Sequence, residues 1–340
     1  MSSDLHCLHK HPCGGIFCGR HTLYFSTAKN ITSINNKISL ESLNYDKSRK
    51  QIVCTGYSPE SGFSGLLIFN GNHTERDEIK ESSFSPIQLY QYENTYLMNS
   101  AQVLSDGQSY LTELGFYDTN QKKIIKTVRI PGGVEYISGN GPKAYVSSYQ
   151  FPNKGQDSIL KKSNIYEFDL VTKEYRKIFS EDQDYVPFSV EYHDGYLYGV
   201  YQSALNVPKD APQNLFVKID LKTGNIVKKV QLSEYARDLV FSADGNYAYV
   251  THFYGLFQDI TMKNPITRID LHTFEAKDYP GDYRAVSILE QNGKLCIGDD
   301  LTSKLTVLNE QTLEVEKTIQ LDIAPIFLAN ESRSGKEHVQ

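Results

Sequence analysis

The chain has 340 residues, with 24 Tyr, 16 Phe, no Trp and a formal net charge of −6. The acidic balance and the lack of long basic runs exclude nucleic acid and an anionic membrane surface as the main partner. No apolar stretch approaches the ~20 residues of a membrane-spanning helix, so we expect no membrane association. The abundant aromatic residues and the Asn-Gly and Asp-Gly pairs favour strands and short hairpins, which predicts an all-β protein.

The N-terminal segment is unusually rich in His and Cys, reading HCLHKHPCGGIFCGRH over residues 6–21. Imidazole and thiolate groups bind zinc and other transition metals, and we predict His9, His11 and Cys13 as ligands. No C-x-x-C pair supports this site. The alternative is that Cys18 is a small core residue of the first strand and that the terminus frays without a metal.

The cysteine count also bears on location. Five cysteines is an odd number, and three of them lie within residues 7–18. We therefore expect no disulfide framework, and the polar N-terminus has no hydrophobic signal segment. Both features favour a reducing cytoplasm.

One hairpin pattern recurs along the chain: a short alternating strand, an Asp or Asn, a Thr three residues later, and a second strand. The clearest copies are YEFDLVTKE (166–174), VKIDLKTGN (217–225), TRIDLHTFE (267–275) and TVLNEQTLE (306–314). Their turn residues are Asp169, Asp220, Asp270 and Asn309, and weaker copies are centred on Asn35, Asn70 and Asp118. An Asp or Asn side chain can cap its own turn, which explains its place in a tight hairpin.

A second hairpin precedes each of these, and LVFSADGNYAYVTH (239–252) is the clearest example. Four strands per unit, repeated seven times at intervals of roughly 35–50 residues, predict a seven-bladed β-propeller with four-stranded antiparallel blades. The propeller is expected to span residues 14–330. It is preceded by the His/Cys-rich segment 1–13 and followed by a polar tail, 331–340.

Closure of the ring needs a partner for the first strands. The segment IAPIFLAN (323–330) follows the last repeat and is strand-like. We predict that it pairs with the N-terminal strands, because such pairing removes a sheet edge and ties the two termini together.

The stretch SADGNYAYVTH (242–252) followed by ITRIDLHTFE (266–275) resembles the YVTN-type repeat of WD40-like β-propellers. That family includes propellers related to the quinoprotein amine dehydrogenase β-chain and to lactonase-like proteins. The resemblance implies the fold, and it does not imply one function.

Three loops on one face are longer than the other connections: 147–164, 201–214 and 251–265. Long loops in compact domains are usually functional or disordered, and these carry many aromatic residues. We predict that Tyr149, Tyr201 and Tyr254 line a ligand pocket at the mouth of the central channel. The alternative is that the aromatic side chains pack on one another as a lid.

Charged residues are expected beneath this rim. Arg237 and Arg284 open inner strands, Glu135 lies in another inner strand, and Asp299 begins a loop. Two guanidinium groups could hold a carboxylate or a phosphate, so we predict Arg237, Arg284 and Asp299 as ligand-binding residues. The alternative is that the arginines pair with acidic neighbours, namely Asp238, Asp282 or Asp299.

His252 ends the YVTN-like stretch and is the candidate general base, since an imidazole titrates near pH ~6.5. The alternative is a structural, hydrogen-bonded histidine. The sequence has no nucleophile elbow, P-loop, H-E-x-x-H or dinucleotide fingerprint.

These observations predict a cytoplasmic propeller that binds a small anionic or aromatic ligand, as a binding protein or as a biosynthetic enzyme. One alternative is a protein-interaction scaffold or an accessory subunit of an oxidoreductase, whose partner would be a protein. A lactonase-like hydrolase is implied by the resemblance alone. The sequence leaves open whether the protein is an enzyme, and the N-terminal transition metal is its one predicted cofactor.

Overall fold

The computed structural model describes residues 16–18, 22–26, 31–35, 39–46, 49, 51–58, 62–70, 73–78, 84–105, 110–150, 162–181, 185–203, 212–253, 264–299, 302–321 and 327–329. Every regular element within these ranges is a β-strand. The described part of the chain contains no helix with the length and apolar character needed to cross a bilayer.

Six sheets each contain four antiparallel strands, which confirms the predicted all-β propeller with four-stranded blades. The blade built from both termini has the strand order β29 (Phe327–Ala329), β1 (Ile16–Cys18), β2 (Thr22–Ser26) and β3 (Ile31–Asn35). The next consists of β9 (Pro86–Tyr92), β10 (Thr95–Ser105), β11 (Tyr110–Asp118) and β12 (Lys123–Pro131).

The other four regular blades follow one another along the chain. Their strands are β13 (Gly133–Asn140), β14 (Lys143–Gln150), β15 (Lys162–Asp169) and β16 (Tyr175–Glu181); β17 (Tyr185–His193), β18 (Tyr196–Ser203), β19 (Asn214–Asp220) and β20 (Asn225–Gln231); β21 (Ala236–Phe241), β22 (Tyr247–His252), β23 (Ile266–Asp270) and β24 (Ala276–Tyr279); and β25 (Ala285–Gln291), β26 (Lys294–Asp299), β27 (Lys304–Asn309) and β28 (Val315–Gln320).

The remaining sheet of the described ranges departs from the expected pattern, so the predicted count of seven four-stranded blades is not confirmed. It has five strands: β4 (Ser39–Leu40), β5 (Asn44–Asp46), β6 (Gln51–Ser58), β7 (Phe63–Asn70) and β8 (His73–Glu78). Both β4 and β5 pair with β6, through Leu40↔Gly56 and Asn44↔Val53. The four-stranded expectation is therefore met in six sheets and not in this one.

The two termini meet in one blade. Strand β29 is antiparallel to β1, with Ile16 opposite Ala329 and Cys18 opposite Phe327. The predicted pairing of the C-terminal segment with the first strands is confirmed. It covers the β1 edge with backbone hydrogen bonds, which stabilises a closed ring.

The predicted turn chemistry is present in the four clearest repeats. In each, one side-chain oxygen accepts hydrogen bonds from the backbone N–H groups two and three residues later. The capping residues are Asp169, Asp220, Asp270 and Asn309. Asp118 makes the same two bonds in the β11–β12 turn. The residue four positions after the cap adopts the left-handed backbone conformation, for example Lys173 with φ 61°.

Neighbouring blades pack face to face through apolar side chains. Between the β17–β20 and β21–β24 blades, for example, Val200 and Phe216 lie in one buried cluster with Leu239 and Val250. Alternation along each strand supplies these faces, since successive side chains point to opposite sides of the sheet. The outer strands are more exposed, as in β28.

The cysteines differ from expectation at one position. Cys54 is a buried cysteine in β6 that forms no disulfide. Cys296, buried in β26, is disulfide-bonded. The sequence predicted no disulfide framework, and the disulfide at Cys296 departs from that expectation.

Candidate functional site

The inner strands of several blades carry a β-bulge near the same end. In β13, Glu135 is the extra residue between the pairs Val134↔Ser148 and Tyr136↔Ser147. In β17, Phe188 is extra between Pro187↔Tyr201 and Ser189↔Val200. A bulge interrupts the ladder and redirects a side chain, and bulges are over-represented beside functional sites.

Strands β9 and β21 have the same irregularity. Ile87 and Gln88 together face Asn99, and Arg237 and Asp238 together face Thr251. The facing side chains satisfy the backbone freed by the bulge. Asn99 Oδ1 accepts from the Gln88 N–H at 3.0 Å, and Thr251 Oγ1 accepts from the Asp238 N–H at 3.2 Å. The bulges are therefore hydrogen-bonded features of the fold.

Arg237 and Arg284 lie against a shared aromatic ring. The Arg237 guanidinium carbon is 5.4 Å from the ring centroid of Phe188 and 5.9 Å from that of Phe253. The Arg284 guanidinium carbon is 5.3 Å from the same Phe253 centroid. Arg237 is exposed, whereas Arg284 is 6% exposed. The structure thus brings the two predicted arginines to one place and adds two phenylalanines.

The nearby aspartates bind backbone groups. Asp238 Oδ1 accepts from the Leu239 N–H at 2.9 Å. Asp299 Oδ2 accepts from the Arg284 N–H at 3.2 Å, and its Oδ1 accepts from the Thr302 N–H at 2.9 Å. Asp299, which is buried, therefore holds the backbone at Arg284, directly before β25, in place.

The Arg237 guanidinium is not in ion-pair contact with any carboxylate in the described ranges. Its electrostatic partner is Glu135. Burial raises the pKa of the Glu135 carboxyl group, and the Arg237 charge lowers that pKa in part. Strands β13 and β21, which carry these two residues, belong to blades separated by the β17–β20 blade.

Tyr149, whose role at a ligand site stays a prediction, lies in β14 opposite Gly133. Its ring lies near Gly133, where an added Cβ would sit 3.1 Å from the ring carbon Cζ. Burial raises the pKa of the Tyr149 phenol, and the Glu135 carboxylate raises it further. Gln88 Nε2 donates to the Glu135 carbonyl at 2.9 Å, which ties the bulge of β13 to that of β9.

Tyr201 does not line the mouth, so the prediction of a rim position for it is wrong. It is 1% exposed and belongs to the buried cluster of the β17–β20 blade. Its ring meets Phe179 edge-on, with centroids 6.5 Å apart. Strand alternation turns this side chain between blades, because β18 continues as a regular strand through Ser203.

His252 is fully buried, at 0% exposure. Nδ1 donates to the Glu234 carbonyl at 2.8 Å, and Nε2 lies 2.7 Å from Thr267 Oγ1. Burial lowers the His252 pKa, while the Glu234 carbonyl and the Asp278 charge oppose this shift. Both ring nitrogens are used inside the blade, an arrangement typical of a structural histidine, and catalysis by His252 stays a prediction.

Four predicted site residues lie outside the described residues: Tyr254, His9, His11 and Cys13. The metal site that the last three define therefore stays a prediction. Within the described ranges, no group of three or more His, Cys, Asp or Glu side chains is placed to hold a metal ion.

Sequence reasoning missed Phe188 and Gln88 as members of this site. Both lie at bulges, where a residue leaves the simple alternation of its strand. Pro187, directly before Phe188, is the nearest signal, since Pro within a strand often marks an irregular position.

No protein-family model matches the chain, and no curated protein sequence matches it. Solved structures are similar in fold. Hydrazine synthase of Kuenenia stuttgartiensis has 16% identity and a TM-score of 0.62, covering 86% of this chain and 89% of that chain. The dihydro-heme d1 dehydrogenase NirN, solved in complex with DHE, has 11% identity and a TM-score of 0.56, covering 93% and 75%. Apo AztD from Citrobacter koseri has 13% identity and a TM-score of 0.51, covering 93% and 88%. At such low identity the likeness supports the propeller fold alone.

Proposed function

We propose that the protein binds a small anionic ligand with an apolar or aromatic body at the channel mouth. The observation that carries the proposal is the exposed Arg237 guanidinium, which shares the Phe253 ring with Arg284. Guanidinium groups bind carboxylates and phosphates through paired hydrogen bonds, and the two rings offer apolar contact.

The exposed charge of Arg237 supports an anionic ligand. Two guanidinium groups on one ring repel each other, and an anion placed between them would relieve that repulsion. Arg237 in particular is open to solvent and available to a ligand.

The test compares two arginines that both stack on aromatic rings. Arg268 lies 5.1 Å from the Tyr247 centroid and 4.9 Å from the Tyr279 centroid, but its strand is β23, outside the inner ring. With 3-phenylpropionate as the probe, calorimetry should give measurable binding that Arg237→Ala weakens at least about tenfold, or ~1.4 kcal/mol. Arg268→Ala should leave the affinity unchanged.

Equal loss in both variants, or no binding of aromatic carboxylates and phosphates by the wild type at millimolar concentration, would contradict the proposal. Whether the bound ligand is also turned over is a separate question. Screening any confirmed ligand for chemical change by mass spectrometry would decide between a binding protein and an enzyme.

A protein-interaction scaffold is the second candidate, favoured by apolar side chains on the outer strands. Val227 in β20 and Val315 in β28 are 49% and 58% exposed. Exposed apolar residues on the outer edges of blades suit contact with a partner. This candidate takes precedence if no ligand of the first class binds and if Val227→Asp with Val315→Asp abolishes association with a partner that co-purifies with the wild type.

We also propose that the five-stranded sheet is a seventh blade of the same design. Between Leu40↔Gly56 and Asn44↔Val53, three residues of the inner side face two residues of β6. That is the bulge of the other inner strands, with the strand interrupted into β4 and β5. A crystal structure with this sheet outside the ring would overturn the proposal, and with it the resemblance to seven-bladed YVTN-type propellers.

A further inference from the structure

We propose that the ligand is a zwitterion, an amino acid with an aromatic or apolar side chain, whose carboxylate binds the arginines and whose ammonium group binds Glu135. This inference rests on the proposed anion site and adds the chemistry of the opposite side of the channel mouth.

Glu135 has the features of a carboxylate that binds a cationic group of a ligand. It is the extra residue of the β13 bulge and is half-buried. Within the described part of the chain, no donor hydrogen-bonds its carboxylate. Burying a carboxylate without a partner is costly, so a structural role would normally come with a donor.

Gln88 adds a second acceptor on this side. Its Nε2 donates to the Glu135 carbonyl, while its Oε1 is buried and has no donor among the described residues. The Gln88 amide that contacts the Glu135 backbone therefore carries a buried acceptor oxygen that lacks a donor in the described ranges. A group with several N–H donors, such as an ammonium, fits the Glu135 side.

The separation of the two sides favours one ligand that spans them. Arg237 and Glu135 influence each other electrostatically, yet they are not in ion-pair contact. They lie on blades separated by the β17–β20 blade, whose bulge residue Phe188 stacks on Arg237. An amino acid would place its carboxylate and ammonium toward opposite charges and its side chain near Phe188 and Phe253. Complementary charge at both ends gives orientation and specificity.

The test uses three probes that share one phenyl body: L-phenylalanine with both charges, 3-phenylpropionate with the carboxylate alone and 2-phenylethylamine with the ammonium alone. Calorimetry on the full chain should show the tightest binding for L-phenylalanine, by at least about tenfold over 3-phenylpropionate. Glu135→Gln, which keeps the size of the side chain, should make the two affinities equal. Arg237→Ala should weaken both.

The matched control is Glu113→Gln. Glu113 is also a buried carboxylate, but it lies in β11 and pairs with Arg129 at 3.1 Å. This variant should keep the full preference for L-phenylalanine. Thermal unfolding of both variants checks that each is folded, and a folded Glu135→Gln protein is expected because the substitution removes a poorly solvated charge.

Three outcomes overturn the inference. If 3-phenylpropionate binds as tightly as L-phenylalanine in the wild type and Arg237→Ala weakens it, the zwitterion fails while the proposed anion site stands. If the preference for L-phenylalanine survives in Glu135→Gln, the ammonium site lies elsewhere. If neither L-phenylalanine nor 3-phenylpropionate binds, the inference and the proposed function both fail.

Discussion

His252 and Thr267, on the adjacent strands β22 and β23, are joined by a contact of 2.7 Å between Nε2 and Oγ1. The same Thr267 oxygen lies 2.5 Å from Asp278 Oδ1 in β24. One chain of polar contacts therefore crosses three strands of the blade, beginning at the Glu234 carbonyl.

Replacing His252 by Ala should destabilise the protein by about 2–4 kcal/mol, because it opens a cavity in the blade and removes the ring contacts to the Glu234 carbonyl and the Thr267 hydroxyl. Chemical denaturation measures the loss. The control is His272→Ala, an exposed turn residue whose hydrogen bonds come from its backbone, and it should change stability by less than ~0.5 kcal/mol. A stable His252→Ala protein that binds ligand but has lost a catalytic activity would favour the general-base role instead.

The His252 environment also predicts a pH dependence. Burial lowers its pKa in the folded state, so below the ~6.5 of a free imidazole the unfolded chain binds a proton that the folded chain does not. The free energy of unfolding should therefore fall as pH decreases through ~6.5 toward the lowered folded-state pKa. Glu234, Thr267 and Asp278 are the groups that contact or face the ring. Denaturation between pH 5 and 8 should show a steeper slope for the wild type than for His252→Gln, and equal slopes would contradict the assignment.

Asp270 should be replaceable by Asn but not by Ala. Its Oδ1 accepts from the His272 and Thr273 N–H groups at 2.8 and 2.9 Å, and Asn309 makes the same pair of bonds at 3.0 and 3.1 Å. By analogy with helix caps, Asp270→Ala should cost about 0.5–2 kcal/mol, while Asp270→Asn should cost a fraction of that. If the Ala and Asn variants unfold at the same denaturant concentration, the cap does not stabilise the turn.

Gly132 should tolerate no side chain. It has φ +90°, and an added Cβ would lie 2.1 Å from the Tyr149 carbonyl oxygen. Gly132→Ala should therefore cost at least ~1–3 kcal/mol and displace the start of β13, which carries Glu135. Gly141→Ala is the control: φ is +55°, but an added Cβ meets nothing within 4 Å, so the cost is limited to backbone strain. A Gly132→Ala protein no less stable than Gly141→Ala would show that the close approach to Tyr149 is absent.

Closure by β29 predicts a difference between two truncations. Ending the chain after residue 322 removes β29 and exposes the edge of β1, whereas ending it after residue 330 keeps the pairing. The shorter protein should unfold at a lower temperature and with less cooperativity, because a propeller with an open edge loses the contacts that link its first and last blades. Calorimetry of the two truncations would contradict the closure if their transitions coincide.

The capped turns could be predicted from sequence because their physics is local. Asp169, Asp220, Asp270 and Asn309 each bond to N–H groups two and three residues away, so residue type and spacing alone specify the turn. Four such turns at regular intervals were enough to indicate the repeated four-stranded unit. The strand-like composition of residues 323–330 was likewise enough to predict the pairing with β1.

The side chains that build the channel mouth depended on tertiary structure. A one-residue bulge reverses which face a side chain occupies, and its position follows from how the inner strand meets its neighbour across the blade, which no local pattern encodes. Phe188 and Glu135 reach the site through such bulges, whereas Tyr201, on a strand that keeps its register, is buried between blades. The sequence by itself determined the turns and the repeat through contacts a few residues apart. The pairing of Arg237 and Arg284 on Phe253 was decided by the packing of whole blades around the channel, since it joins residues that lie up to 47 positions apart.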